Sequence, residues 1–100
     1  MVALDTTLTL EIERVFHLQQ ANQYAVARTN ARERIAKLRR LERTMLEMAP
    51  EIYEALWADL RKGRTETDIS EIGVVNCEIR HVARHLKRWM ATEEVGTPLT

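Results

Sequence analysis

One stretch limits what this chain can become: Thr67 to Met90, TDISEIGVVNCEIRHVARHLKRWM. Ile72, Val75, Ile79, Val82, Leu86 and Trp89 recur in alternating steps of three and four. Only a helix gathers that spacing into one continuous apolar stripe. At about 1.5 Å per residue the stretch makes a rod roughly 36 Å long. Its charges are sorted by end, with Glu66, Asp68, Glu71 and Glu78 early and Arg80, Arg84, Lys87 and Arg88 late. That order suits the helix dipole. Thr65 or Thr67 can cap the start through a side-chain oxygen. Gly73 costs about 1 kcal/mol in a helix interior, and its presence predicts the close approach of another backbone.

The chain ahead of this rod reads as three more helices. The first is expected from near Thr9 to about Ala27, after a frayed lead-in. Leu8, Ile12, Val15 and Phe16 form its apolar face, which Gln19, Gln20, Asn22 and Gln23 then dilute. The second starts around Thr29 or Asn30. Asn30 and Glu33 have the spacing of a capping box, and Ile35, Leu38, Leu41, Met45 and Met48 make the stripe. Glu33 and Lys37 form an i,i+4 pair. Pro50 ends that helix and opens the third, PEIYEALWADLRKG, in which Ile52, Leu56 and Leu60 face one way with Tyr53 and Trp57 beside them. Gly63 is the expected C-terminal cap, with Arg61 and Lys62 at the negative helix end. After Met90 the periodicity stops. TEEVGTPLT, with Gly96 and Pro98, reads as extended chain.

Composition narrows the function classes. Lys+Arg and Asp+Glu are both 15, so no net field draws the chain to nucleic acid or an anionic membrane. A single cysteine permits no internal disulfide and fits a reducing compartment. MVALDTTLTLEIE lacks the basic and apolar regions of a signal peptide. No apolar run reaches the length of a membrane span. Three glycines and two prolines leave little room for a strand-and-turn fold.

Candidate chemistry is sparse. Cys77, His81 and His85 stand at i, i+4 and i+8. Cys77 and His85 would lie about 12 Å apart along the axis, too far to share an ion bound at about 2.0–2.3 Å. His81 and His85 alone could share one, with ligands from elsewhere. Cys77 lies mid-helix, away from the helix N-terminus that lowers a thiol pKa. His81 is one turn on, and no third group orients the pair. Arg28, Arg32, Arg34, Lys37, Arg39, Arg40 and Arg43 make the second helix basic. They are spread around it, as expected of a solvated face bridged to acids such as Glu33 and Glu42 rather than a nucleic-acid surface. There is no Gly-rich phosphate loop, no GxSxG and no HExxH.

Four segments taken together resemble a known family. ARERIAKLRRL (31–41), EIYEALWADLRKG (51–63), SEIGVVNCEIRHVARHLKRWM (70–90) and VGTPLT (95–100) are similar to the N-terminal helical region of the aldehyde dehydrogenase superfamily, closest to its class 3-like bacterial enzymes. The resemblance runs from about Glu11 to Thr100 in order. It departs from the family at Gly63-Arg64-Thr65-Glu66, where relatives often carry proline, and at Cys77, where an apolar or small residue is expected.

The resemblance implies a parent enzyme of α/β fold that oxidises an aldehyde to a carboxylate with NAD or NADP. A cysteine thiolate, a water-activating glutamate and an oxyanion-binding asparagine would all lie beyond Thr100. VVNCEIR is not the catalytic cysteine motif, so Cys77 takes no such role. The expectation is therefore an all-α chain of about four helices in an antiparallel block ending in an extended tail. Residues 1–8 are a flexible lead-in, 9–91 a helical segment and 92–100 a lead into a missing cofactor-binding domain. No residue here is expected to be catalytic, cofactor-binding or metal-binding, and no cofactor is expected in these residues. The expected partner is the remainder of a dehydrogenase chain, with self-association of the isolated piece, no nucleic acid, no membrane and a cytoplasmic location. The competing expectation is a free-standing helical protein-interaction module.

Overall fold

The computed structural model describes residues 5–99, and among these every regular element is helical. The elements are α1 (Thr6–Ala27), α2 (Ala31–Glu47), α3 (Ala49–Leu60), α4 (Arg64–Thr67), a π-helical turn (Asp68–Ile72) and α5 (Gly73–Trp89). α4, the π-turn and α5 follow one another without a gap, so the expected long helix exists as one rod with a widened turn inside it. Residues 92–99 carry no regular structure, as the loss of periodicity predicted. Two compact units divide the chain, residues 1–30 and 31–100.

The first unit is α1. It starts at Thr6, three residues earlier than Thr9, because Asp5 caps it: Asp5 Oδ1 accepts from the Thr7 amide at 3.0 Å. Residues 1–4 of the expected lead-in lie outside the described residues. At the far end Thr29 Oγ1 donates to the Val26 carbonyl at 2.6 Å. No residue of α1 is buried, and Leu8, Ile12 and Phe16 are all exposed.

The second unit is built on the pairing of α2 with α5. Ile72 and Ile79 are each 5% exposed and, with Ala83, form its apolar centre. The expected stripes are present, but each is rolled to one side. From Ile72 of the π-turn into α5, the line of buried and half-buried residues runs Ile72, Asn76, Ile79, Ala83, Leu86, with Val82 half-buried beside it and Val75 at 41% and Trp89 at 51% exposure. On α2 it runs Ile35, Leu38, Glu42, Met45, while Leu41 and Met48 face outward. Each helix carries an apolar arc wider than one neighbour covers. The small Ala83 and the paired Glu42 occupy the seam, and the bulkier apolar flanks are left open.

Two local expectations are corrected. Gly63 does not cap α3 in the left-handed region; it adopts φ −71°, ψ 160° ahead of α4. Arg61 takes the left-handed position instead, at φ 54°, ψ 30°, and the Lys62 amide donates back to the Leu56 carbonyl at 3.3 Å. The backbone near Gly73 belongs to its own helix, not to another segment. The Gly73 amide closes the π-turn onto the Asp68 carbonyl, and a Cβ there would lie 2.5 Å from that oxygen. A regular α-turn keeps that atom clear; the widened turn brings it in, and only glycine fits.

Candidate functional site

The polar groups that the fold organises fall in three places. The first is the α2–α5 seam. Glu42 sits there at 9% exposure, held by Arg80 Nε at 2.7 Å from α5 and by an Arg39 guanidinium nitrogen at 3.2 Å from its own helix. The Arg80 hydrogen bond, opposed by desolvation and aided by Arg39, holds the Glu42 carboxyl below its ordinary value. A carboxylate with two guanidinium partners is a structural tie. It is poorly suited to accept a proton in catalysis, because its charged form is the favoured one.

The second place is the junction of α3 with the π-turn. The Tyr53 hydroxyl donates to Asp68, the Arg64 guanidinium lies over the Tyr53 ring at 4.9 Å, and Lys62 pairs with Glu71. The hydrogen bond to Asp68 and desolvation raise the Tyr53 phenol, with Arg64 opposing. Thr67 is fully buried beside this junction, and its hydroxyl has no partner. Sequence reading placed Tyr53 and Trp57 beside the α3 face but did not find the Asp68 contact. Its only sequence signal is the charge of Asp68, 15 positions away.

The third place is the outer surface of α5, which carries the residues singled out as metal or nucleophile candidates. Cys77 is exposed and free. The His81 and His85 rings lie 4.4 Å apart by centroid, and His85 stacks on Trp89 at 5.5 Å. His85 Nδ1 contacts the His81 carbonyl at 2.7 Å. A carbonyl only accepts, so Nδ1 carries the proton in that bond. Among the described residues no group of three or more His, Cys, Asp or Glu side chains could hold a metal ion together. The structure thus joins His81 to His85 and leaves Cys77 apart from a metal set. The arginines of α2 do not form one face: Arg39 turns to the seam, and the others lie at various angles around the helix. Among the described residues no helix is long and apolar enough to cross a membrane.

No protein-family profile and no solved structure matches the chain. Curated proteins do. AldX of Bacillus subtilis (strain 168), named as an aldehyde dehydrogenase, is 37% identical over 90 residues, which is 90% of this chain and 20% of the relative. The 4,4'-diaponeurosporen-aldehyde dehydrogenase of Staphylococcus aureus is 35% identical over 63 residues, 63% of this chain and 14% of its own length. Aldehyde dehydrogenase family 3 member B1 of Rattus norvegicus is 33% identical over 84 residues, 82% of this chain and 18% of its own length. The chain spans about a fifth or less of the curated relatives it matches. With that likeness carried across most of its length, and with every regular element among the described residues helical, the chain belongs to the aldehyde dehydrogenase superfamily, on its class 3-like side.

Proposed function

We propose that these residues are the structural, helical portion of an NAD(P)-dependent aldehyde dehydrogenase, and that they do no chemistry alone. In this reading α1 and the outer flanks of α2 and α5 pack on the rest of the dehydrogenase chain, including its cofactor-binding domain. Thiolate, glutamate, oxyanion site and NAD(P) contacts are supplied from there. The observation that carries the reading is the uncovered apolar surface. Every residue of α1 is exposed, and Leu41, Met48, Val75 and Trp89 are left exposed beside the α2–α5 seam. Surface of this kind is a binding face in waiting. The Glu42–Arg80 and Lys62–Glu71 ion pairs tie α2 to α5 and the loop after α3 to the π-turn, which supports a scaffold rather than a reaction centre.

The same surface favours self-association when the chain is alone, and the reading places it in the cytoplasm, without nucleic acid or membrane. The test has two arms. The purified chain is incubated with aldehydes and NAD or NADP, and absorbance is followed at the reduced nicotinamide band; no turnover is expected. It is then co-expressed with a Bacillus AldX lacking the matching 90 residues. Recovery of soluble, active complex is expected. Activity from the chain alone, or no complex with the truncated partner, would overturn the proposal. Light scattering over a concentration series should show mass rising with concentration. A constant monomer mass would instead favour a free-standing interaction module.

A further inference from the structure

The His81–His85 pair has a geometry that neither the seam nor the family likeness uses. Two imidazoles bound to one metal at about 2.0–2.1 Å, with a nitrogen–metal–nitrogen angle of about 90–109°, hold their ring centroids about 4.5–5.2 Å apart. The two rings stand 4.4 Å apart, just below that range, so a slight opening of the pair reaches it. They are set there by the i,i+4 spacing, which places both side chains on one stretch of helix surface. His85 is further fixed. Its Nδ1 proton is committed to the His81 carbonyl at 2.7 Å, which leaves Nε2 with its lone pair in the neutral ring. A backbone carbonyl on the far nitrogen is the usual orienting partner of a metal-binding histidine. The Trp89 ring, stacked on His85 at 5.5 Å and tilted against His81 at 5.7 Å, limits the rotation of both imidazoles.

We infer that His81 and His85 form a two-histidine surface site for a single borderline-soft divalent transition-metal ion, copper(II) first, with water filling the remaining positions. Imidazole nitrogen suits copper, nickel and zinc, and copper(II) heads the affinity order for such donors. Magnesium and calcium, which take oxygen ligands, are excluded by the same chemistry. Glu78 precedes the pair by one turn, and Arg84 and Arg88 flank it. The arginine charges oppose a dication, so the site is of modest affinity and strengthens as salt screens them. Two protein ligands leave the ion open to a further donor from a neighbouring chain. The site lies on the flank of α5 beside Trp89, which the scaffold reading covers in the full enzyme, so it is open to an ion in the chain by itself.

The test is copper(II) titration of the untagged chain in buffer free of chelating amines. Calorimetry gives the stoichiometry, Trp emission in a Trp57→Phe variant gives the approach of the ion to Trp89, and electron paramagnetic resonance counts the bound nitrogens. One ion per chain, quenched emission and a two-nitrogen signal are expected. His81→Asn and His85→Asn should each weaken binding by roughly tenfold or more, the scale of losses seen even for outer-shell partners. His17→Asn on α1 and Cys77→Ser should leave it unchanged. His81 is exposed, so His81→Asn keeps the fold and provides the decisive variant. Equal binding by the original chain and His81→Asn would overturn the inference, as would a one-nitrogen signal or loss of binding in Cys77→Ser.

Discussion

α1 and α5 are both regular helices of this chain, held by different means. α1 runs 22 residues with none buried, and its ends are fixed by local groups, Asp5 at the start and Thr29 at the finish. α5 runs 17 residues and buries Ile79 and Ala83 against α2, with Arg80 reaching Glu42 across the seam. Most helical stability in proteins comes from packing of an apolar face rather than from intrinsic propensity, and α1 buries no residue. The comparison teaches that α5 is held by a packed seam, whereas α1 is held by its own local groups. Amide exchange should show it directly, with α1 exchanging close to the rate of local fraying and the middle of α5 protected to the depth of the second unit's own stability.

The largest effect expected is from Ile79→Ala. Truncating a side chain 5% exposed costs about 2–5 kcal/mol, comparable to all the stability a unit of this size has. The urea transition of the second unit should vanish or move to very low denaturant. Leu10→Ala on α1 is the control, with a change within about 0.5 kcal/mol expected at an exposed position. If both variants behave alike, the contrast between the two helices fails.

Glu42→Ala ranks next, because it leaves Arg80 without its carboxylate at the seam. Acid does the same reversibly. The folded Glu42 value is lowered, so its contribution is fully present above the ordinary carboxylate value near 4.5 and is lost as pH falls through the folded one. A melting series from pH 7 to pH 2 should show stability falling below about pH 4.5, with a smaller fall in Glu42→Ala. At the alkaline end the sign reverses. Tyr53 is raised from 10.0, so its contribution holds below that value and is lost as pH climbs through the folded one. Tyr53→Phe should flatten that limb.

Smaller effects separate the two helices at their glycines and caps. Gly73→Ala should cost more than about 1 kcal/mol, since the new Cβ meets the Asp68 carbonyl at 2.5 Å. Its readout is the chemical-denaturation midpoint, with loss of the π-turn signature in backbone chemical shifts. Asp5→Ala should cost α1 about 1 kcal/mol of helix stability, seen as lower far-ultraviolet ellipticity and faster exchange in the first turn. Gly63→Ala should raise the midpoint by about 0.4–1 kcal/mol, because φ is −71° and nothing lies within 4 Å of the added carbon. A loss there, or a gain at Gly73, would contradict the assignment of which glycine the backbone requires.

How much of this was legible in the residues can be said position by position. The helical class, the breaks near Asn30, Pro50 and Gly63, and the tail after Met90 follow from period and punctuation alone. So does the family likeness, which resides in short segments that remain in order. Period also gave the shared spine Ile72, Ile79 and Leu86. It did not say which side of that spine is covered, because Val75 and Asn76 flank it equally on a helical wheel. The choice of Asn76 and Ala83 belongs to α2, whose Glu42 takes the Arg80 hydrogen bond across the seam.

Of the candidate site, the His81–His85 spacing was plain in sequence. Its stacking on Trp89 and the bond that fixes His85 were not, since side-chain rotation is set by neighbours. The left-handed position fell to Arg61 rather than Gly63 for a related reason. The α3 helix ends where its contacts with α4 and the π-turn require, through Tyr53 with Asp68 and Lys62 with Glu71. Local chemistry thus determined that the chain is helical, where its helices break and what family it resembles. Tertiary contact decided which face of each helix is inside, where the rod widens and which apolar flanks are left exposed. Burial is a property of two surfaces, and the sequence of one helix specifies only its own.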